Sequence, residues 1–327
     1  MRSALILSLL ILLYSCAKTP VEEVDAAIDQ ALTYLSDDKC TKAIDLLEGV
    51  GRDLDNPIYL EVLASAYACR AGYNEIVFLS SEISKIDSSA ANLMKSLTTL
   101  ILSNEKAADS VKYLDLQEGI DVLLYVDSSQ PSQVAREAKY GPRKAGDMGV
   151  QALLMALTQI GKFIDFYGNV NDLGAKGAGL PSVDEQGAIA SNCFLEYTEA
   201  RSLVFLGAGG GGVCNDMATD NGHPDLSFAA PDLATTKKRM CQGLMLVTNI
   251  IDILGNITLP ASSSYGNLSS VATTVAALKT SITTADPALT TLVDTTSQAD
   301  CETLIADASE FDNLQFIYAL LFEAGLP

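Results

Sequence analysis

The chain has 327 residues, room for two domains at the usual ~100–200 residues each. Its 41 acidic residues outnumber 21 basic ones, and the net charge of −20 argues against nucleic acid and against adhesion to anionic lipid through charge. With no tryptophan, one histidine and 6 % aromatic residues, platforms for stacking sugars and imidazole chemistry have little raw material.

The chain opens with Arg2 and an apolar run from Ala4 to Leu13. That run is too short to span a bilayer, which takes about 20 residues, and it suits the apolar segment of a secretory signal. It closes on Leu13-Tyr14-Ser15-Cys16, which resembles the lipobox of bacterial lipoproteins: Leu13 stands three places before the cysteine and small Ser15 just before it. The resemblance implies a signal peptide over 1–15, a lipid on Cys16 and a short tether over 16–20. It also implies attachment to the outer membrane, facing the periplasm or the cell surface, because Ala17 and not an aspartate follows the cysteine.

Six further cysteines remain: Cys40, Cys69, Cys193, Cys214, Cys241 and Cys301. An even number in an oxidising compartment reads as three disulfides. No CxxC or CxxH spacing occurs, so a structural zinc site is not expected.

Residues 21–128 read as helical hairpins. Ala27, Ala31, Tyr34, Cys40, Ala43, Leu47 and Val50 match Leu60, Ala64, Tyr67, Tyr73, Ile76, Ser80 and Ile83 at a fixed offset of 33. The stretch Leu60-x-x-Leu63-Ala64-x-x-Tyr67, followed by Ala71-Gly72-Tyr73, resembles the tetratricopeptide repeat, a helix-turn-helix of about 34 residues. The likeness covers 21–87, with no tryptophan to open either unit. It implies a disulfide between Cys40, at the start of one helix, and Cys69, near the end of its antiparallel neighbour; closing that loop would contribute about 3–4 kcal/mol. It also implies a concave face for a protein partner, with Tyr59 as a contact residue and Tyr34 and Tyr67 as packing residues. Helices over 89–103 and 106–126 continue the pattern, and Asp127 to Pro131 reads as a boundary.

Residues 131–327 form a second helical region. Helices are expected over 131–140, 143–167, 191–206, 232–255, 266–283 and 298–324, with loops near 168–190 and 207–230. No strand is expected, and the fold class is all-α. Sequence order suggests the pairs Cys193–Cys214 and Cys241–Cys301, although six cysteines allow 15 pairings.

Chemistry-bearing motifs are few. The run Gly207 to Gly212 lacks the Lys-Ser/Thr of a phosphate loop and follows a helix, so it reads as a linker. Asp216, Asp220 and Asp225 are a calcium candidate by oxygen density, but the EF-hand template fails on Ala218, Asn221 and Ser227. His223 has no second histidine to share a metal, and Lys237-Lys238-Arg239 reads as a salt-bridged patch. No catalytic motif, resident metal or cofactor is expected. Two functions follow. The first is a lipid-anchored scaffold for an unidentified envelope protein. The second is a binder of a small apolar ligand between the helices at 143–167 and 232–255, a layout similar to the T components associated with TRAP transporters.

Overall fold

The computed structural model describes residues 20–89, 92–100, 110–125, 131–170, 175–176, 192–210, 212, 214, 222–226, 228, 233–257 and 266–326. Among these the chain is all-α, with no strand. The helices are α1 (Pro20–Ser36), α2 (Cys40–Gly49), α3 (Pro57–Arg70), α4 (Glu75–Val77), α5 (Leu93–Leu97), α6 (Val111–Leu124) and α7 (Gln133–Tyr140). There follow α8 (Pro142–Tyr167), α9 (Ala200–Phe205), α10 (Leu233–Asn256), α11 (Gly266–Ala285), α12 (Thr290–Asp294), α13 (Gln298–Leu304) and α14 (Ala308–Tyr318).

Local chemistry sets the starts. Asn56 caps α3, its side chain accepting from the N–H groups of Ile58 and Tyr59, and Pro57 occupies the first turn, where a missing N–H does no harm. Ser110 caps α6, Ser132 caps α7 and Ser297 caps α13 in the same way. Gly141, at φ +81°, turns the chain sharply from α7 into α8.

Packing runs outward from α8. Every residue of α8 from Ala152 to Asp165 is buried, so this part of the helix is enclosed on all sides. Helices α3, α5, α6, α7 and α10 all lie against it. On one flank α6 packs on α3, which packs on α1 and α2; on the other, α10 packs on α11 and α13. A single cluster of buried side chains extends from Ala27 to Leu326. Glycines permit the closest crossings. A Cβ on Gly119 of α6 would lie 3.1 Å from the Ala64 carbonyl of α3, and one on Gly243 of α10 would lie 2.5 Å from the Phe163 ring of α8.

Three disulfides join Cys40 to Cys69, Cys193 to Cys214 and Cys241 to Cys301, the pairs that the repeat and the sequence order suggest. They tie α2 to α3, residue 193 to residue 214 and α10 to α13.

Several expected elements differ. Of the described residues of the helix expected over 89–103, Leu93–Leu97 are α-helical, and the second helix of the second hairpin is only Glu75–Val77 before it passes into a π turn, Phe78–Glu82. The helix expected over 191–206 starts only at Ala200, because tertiary partners take its backbone groups. The Phe194 N–H donates to Glu323 Oε1 (2.8 Å), the Phe194 carbonyl accepts from the His223 N–H (3.0 Å), and the N–H groups of Thr198 and Glu199 donate to Gln315 Oε1. The long helix over 298–324 breaks at 305–307, where Asp307 accepts from the Ser309 N–H and restarts the chain as α14.

Gly243→Ala should lower stability by about 1–3 kcal/mol, because the added methyl meets a ring that is itself fully buried. Urea unfolding checks this, and an unchanged midpoint would show that α8 and α10 do not cross this closely.

Candidate functional site

Helix α6 carries two faces. Tyr113, Leu116, Ile120, Leu123 and Leu124 are buried. Leu114, Gln117, Glu118, Asp121 and Tyr125 recur every three or four residues and line a cleft. The facing wall comes from α10, where Lys238, Gln242, Met245, Leu246 and Asn249 recur at the same helical spacing. Ala156 of α8 lies between the walls, and Thr296 and Gln298 complete the lining. The cleft holds about 340 Å³. A second hollow of about 410 Å³ borders Glu118, Asp121 and Tyr125 and reaches Arg52, Leu54 and Leu60. The polar stripe of α6 is therefore shared by two neighbouring depressions.

The cleft is built on fixed partners. Gln117 Nε2 donates to Asp121 Oδ1 (2.9 Å). Asn249 Nδ2 donates to the carbonyl oxygens of Met245 (2.8 Å) and Thr296 (3.0 Å). The Gln298 N–H donates to the Tyr125 hydroxyl (3.4 Å), and Gln298 Nε2 donates to the Lys238 carbonyl (3.0 Å). Arg52 reaches Glu118 at 2.6 Å and Glu48 at 2.7 Å, so Glu118 is held away from Asp121 by a cation of its own.

Two features run against ordinary packing. Burial pushes the Asp121 carboxyl up to about 7; the Gln117 hydrogen bond opposes that rise and the Glu118 charge adds to it. In addition, Gln117 Oε1, Gln242 Oε1 and Asn249 Oδ1 are buried and have no hydrogen-bond partner. Each unpaired acceptor of this kind costs about 1–3 kcal/mol.

The residues expected from sequence are placed elsewhere. Cys16 lies outside the described residues, as do Asp216 and Asp220. Tyr59 cannot serve as a contact residue in the folded chain: it is fully buried and its hydroxyl donates to the Leu47 carbonyl (2.8 Å). The Asp225 carboxylate lies 3.5 Å from the Arg239 guanidinium. His223 is a core residue. Its ring packs against Phe166 and Tyr167 at 4.8 and 5.1 Å, its Nδ1 accepts from the Asp225 N–H, and burial lowers its pKa to about 4. Cys193, Cys214 and Glu323 lie close together, but the two sulfurs are bonded to each other and Glu323 is paired with Lys176. Helices α8 and α10, expected to flank a cavity for an apolar ligand, pack on one another and both contribute to the cleft, α8 through Ala156. On the far side of α10, against α11, the space amounts to about 10 Å³, one water at most.

Asp121, Gln117, Gln242 and Asn249 belong to no motif in the sequence. The available signal was the stripe itself, polar residues at helical spacing on a helix otherwise built for the core. No family model, curated protein or solved structure matches the chain.

Asp121→Asn should separate the carboxyl's cost from its shape. The folded-state pKa lies above the unfolded value, so the contribution of this group is most favourable below about pH 4 and is lost as pH rises through about 7. Full burial would make the loss about 4 kcal/mol; solvent reaching this half-buried group reduces it, and about 2 kcal/mol is expected. The variant should match the parent near pH 4 and exceed it in denaturant midpoint at pH 8. Equal midpoints at both pH values would show that Asp121 titrates as a solvated carboxyl.

Proposed function

We propose that the protein is a lipid-anchored, envelope-facing binding protein, a helical scaffold held to the outer membrane through Cys16 and presenting the cleft along α6 to an envelope partner. The observation that carries this reading is the cleft's position. It opens where α6, the last of the hairpin helices, meets the C-terminal helices α8 and α10, and polar and apolar side chains from both regions line it. Repeat-like helical units commonly present such grooves to protein partners.

Among the described residues no helix is long and apolar enough to cross a membrane. Attachment in this reading therefore rests on acyl chains, each buried methylene contributing about 0.8 kcal/mol. A second reading, a solute-binding component of an envelope transport system, is favoured by the cleft's 340 Å³, within the range of about 300–1,000 Å³ typical of small-molecule pockets. The cleft is lined by both polar and apolar groups, so a purely apolar ligand suits it less well than a mixed one.

Two experiments test the proposal. Cells fed a clickable palmitate analogue should label the parent protein and not Cys16→Ala, and the variant should leave the membrane fraction; retention of the label on the variant would remove the anchor. A photo-crosslinking residue at Leu114, half-exposed at the cleft edge, should trap one discrete partner in intact cells. The same residue at Val204, 74 % exposed and away from the cleft lining, serves as the control. Identical products from both positions would remove the cleft as the contact surface.

A further inference from the structure

The three disulfides differ in what surrounds them. Cys193, Cys214, Cys241 and Cys301 are at most 2 % exposed. Cys40 and Cys69 are partly exposed, and both border an open hollow of about 310 Å³ at the start of α2 and the end of α3. Asp38, Lys39, Thr41, Lys42 and Arg70 complete its lining, and it shares no residue with the cleft. Thiol–disulfide exchange needs access to a sulfur. A thiol reaches the Cys40–Cys69 bond in the folded chain, whereas the other two bonds are closed to it.

The two exposed sulfurs are also unlike each other. Cys40 is the first residue of α2, at the helix's positive end. No side chain caps that end, so a sulfur released there meets N–H groups of the first turn that no cap has claimed. Cys69 stands in the last turn of α3, at a negative end, where its own carbonyl accepts from the Gly72 N–H (2.9 Å). A thiolate is therefore favoured at Cys40 and disfavoured at Cys69. The neighbouring charges agree. Arg70, beside Cys69, is spent on the Asp115 carboxylate through bonds of 2.8 and 2.6 Å, and Lys39 is paired with Asp37 at 2.7 Å. Lys42 lies exposed in the same first turn as Cys40.

We propose that the Cys40–Cys69 bond is a thiol-exchange site, at which an incoming thiolate attacks Cys69 Sγ and releases Cys40. The incoming sulfur bonds to Cys69 Sγ as the bond to Cys40 breaks, and the electron pair of the broken bond leaves on Cys40. One thiolate is consumed and one is formed, so this step needs no outside oxidant or reductant. A second thiolate then attacks the sulfur of the incoming group. It comes from a second small thiol or from the second thiol of a dithiol protein. Cys69 leaves as a thiolate, the two incoming thiols end as a disulfide, and their two electrons pass to Cys40 and Cys69. The fold allows the bond to open. Helix α2 is seated by buried Ala43, Ile44 and Leu47, and the Leu47 carbonyl accepts from the Tyr59 hydroxyl of α3 (2.8 Å). These contacts keep α2 in place while its first residue is released. Opening removes a cross-link between residues 29 apart, so the thermal midpoint should fall while helix content stays the same.

The thiol can be a small molecule or belong to a partner protein, and the test has an arm for each. Purified full-length protein with its disulfides intact is incubated near neutral pH with reduced glutathione or with reduced thioredoxin at equal thiol concentration. Samples are quenched in acid, free thiols are blocked with N-ethylmaleimide, and peptides are mapped by mass spectrometry. Cys40 and Cys69 should open at least tenfold faster than either buried pair. In the glutathione arm the earliest adduct should sit on Cys69, with Cys40 carrying the maleimide. Faster opening by thioredoxin assigns a dithiol protein as the source of the thiol, and faster opening by glutathione assigns a small thiol. Equal rates at all three bonds overturn the proposal, as does earlier opening of a buried pair. An adduct that forms first on Cys40 overturns the direction of attack. Circular dichroism during the reaction separates exchange from unfolding, and opening that keeps pace with loss of helix also overturns the proposal.

Discussion

Burial of α8 on all sides from Ala152 to Asp165 is the constraint on which the other elements depend. A stretch of helix with no face turned to water must be surrounded. Five other helices share that task, and their places around α8 fix their places relative to one another. Two polar side chains inside this sheath donate to backbone carbonyls. Gln159 Nε2 donates to the Tyr113 carbonyl (3.0 Å), and the Thr158 hydroxyl donates back to the Leu154 carbonyl. A half-exposed link on the same helix ties the hairpins to it: Gln151 Nε2 donates to the Ser65 hydroxyl (2.8 Å).

A second kind of constraint holds what α8 cannot reach. Buried Arg136 donates to the Leu124 carbonyl at the end of α6 and to Gln133 Oε1, while the Gln133 N–H donates to Asp252 on α10. One cation thereby joins α6 and α7, and its neighbour extends the link to α10. Burial lowers the pKa of Arg136 to about 10 against the opposing charges of Asp252 and Glu137, still well above neutrality, so the guanidinium stays charged and keeps donating. At the other end of the molecule the Glu323 carboxylate collects the Phe194 N–H, the Tyr197 hydroxyl and Lys176. Loop backbone is made buriable there by one acidic side chain, since a buried N–H needs a partner from somewhere.

Legibility in the sequence followed the range of the interaction. The apolar spacing of 143–167 and 232–255 reads directly as α8 and α10, because each helix's own residues write its pattern. The three cysteine pairs also match sequence order, each joining segments whose neighbours are close in the chain's path. Residues 192–199 were misread as helix because nothing local announces that Gln315 and Glu323, more than a hundred residues on, take their N–H groups. The break at 305–307 was legible in principle, since Asp307 followed two places on by Ser309 is a cap signal inside an apolar pattern. Tyr59 was misread for a different reason. Repeat-like periodicity places a residue on a helix, but burial depends on which helix comes to lie beside it, and the Leu47 carbonyl is supplied by α2. The cleft escaped notice because it belongs to two stripes separated by more than a hundred residues, neither unusual alone.

Buried polar groups are partnered unevenly along the chain: N–H groups over 192–199 are given partners at the cost of a helix, whereas Glu61 Oε1, Gln159 Oε1 and His223 Nε2 have none. Along the α6 and α10 stripes, three amide oxygens are left without one and a carboxyl is held where ionisation is disfavoured. Leucine at those positions would remove the unpaired oxygens and extend an apolar surface that Leu124, Met245 and Leu246 already provide. Because α6 and α10 are both seated on α8, the two walls cannot close on an occupant without moving the core. A cleft framed in this way has its walls in place beforehand, and an occupant would not need to order a loop around itself.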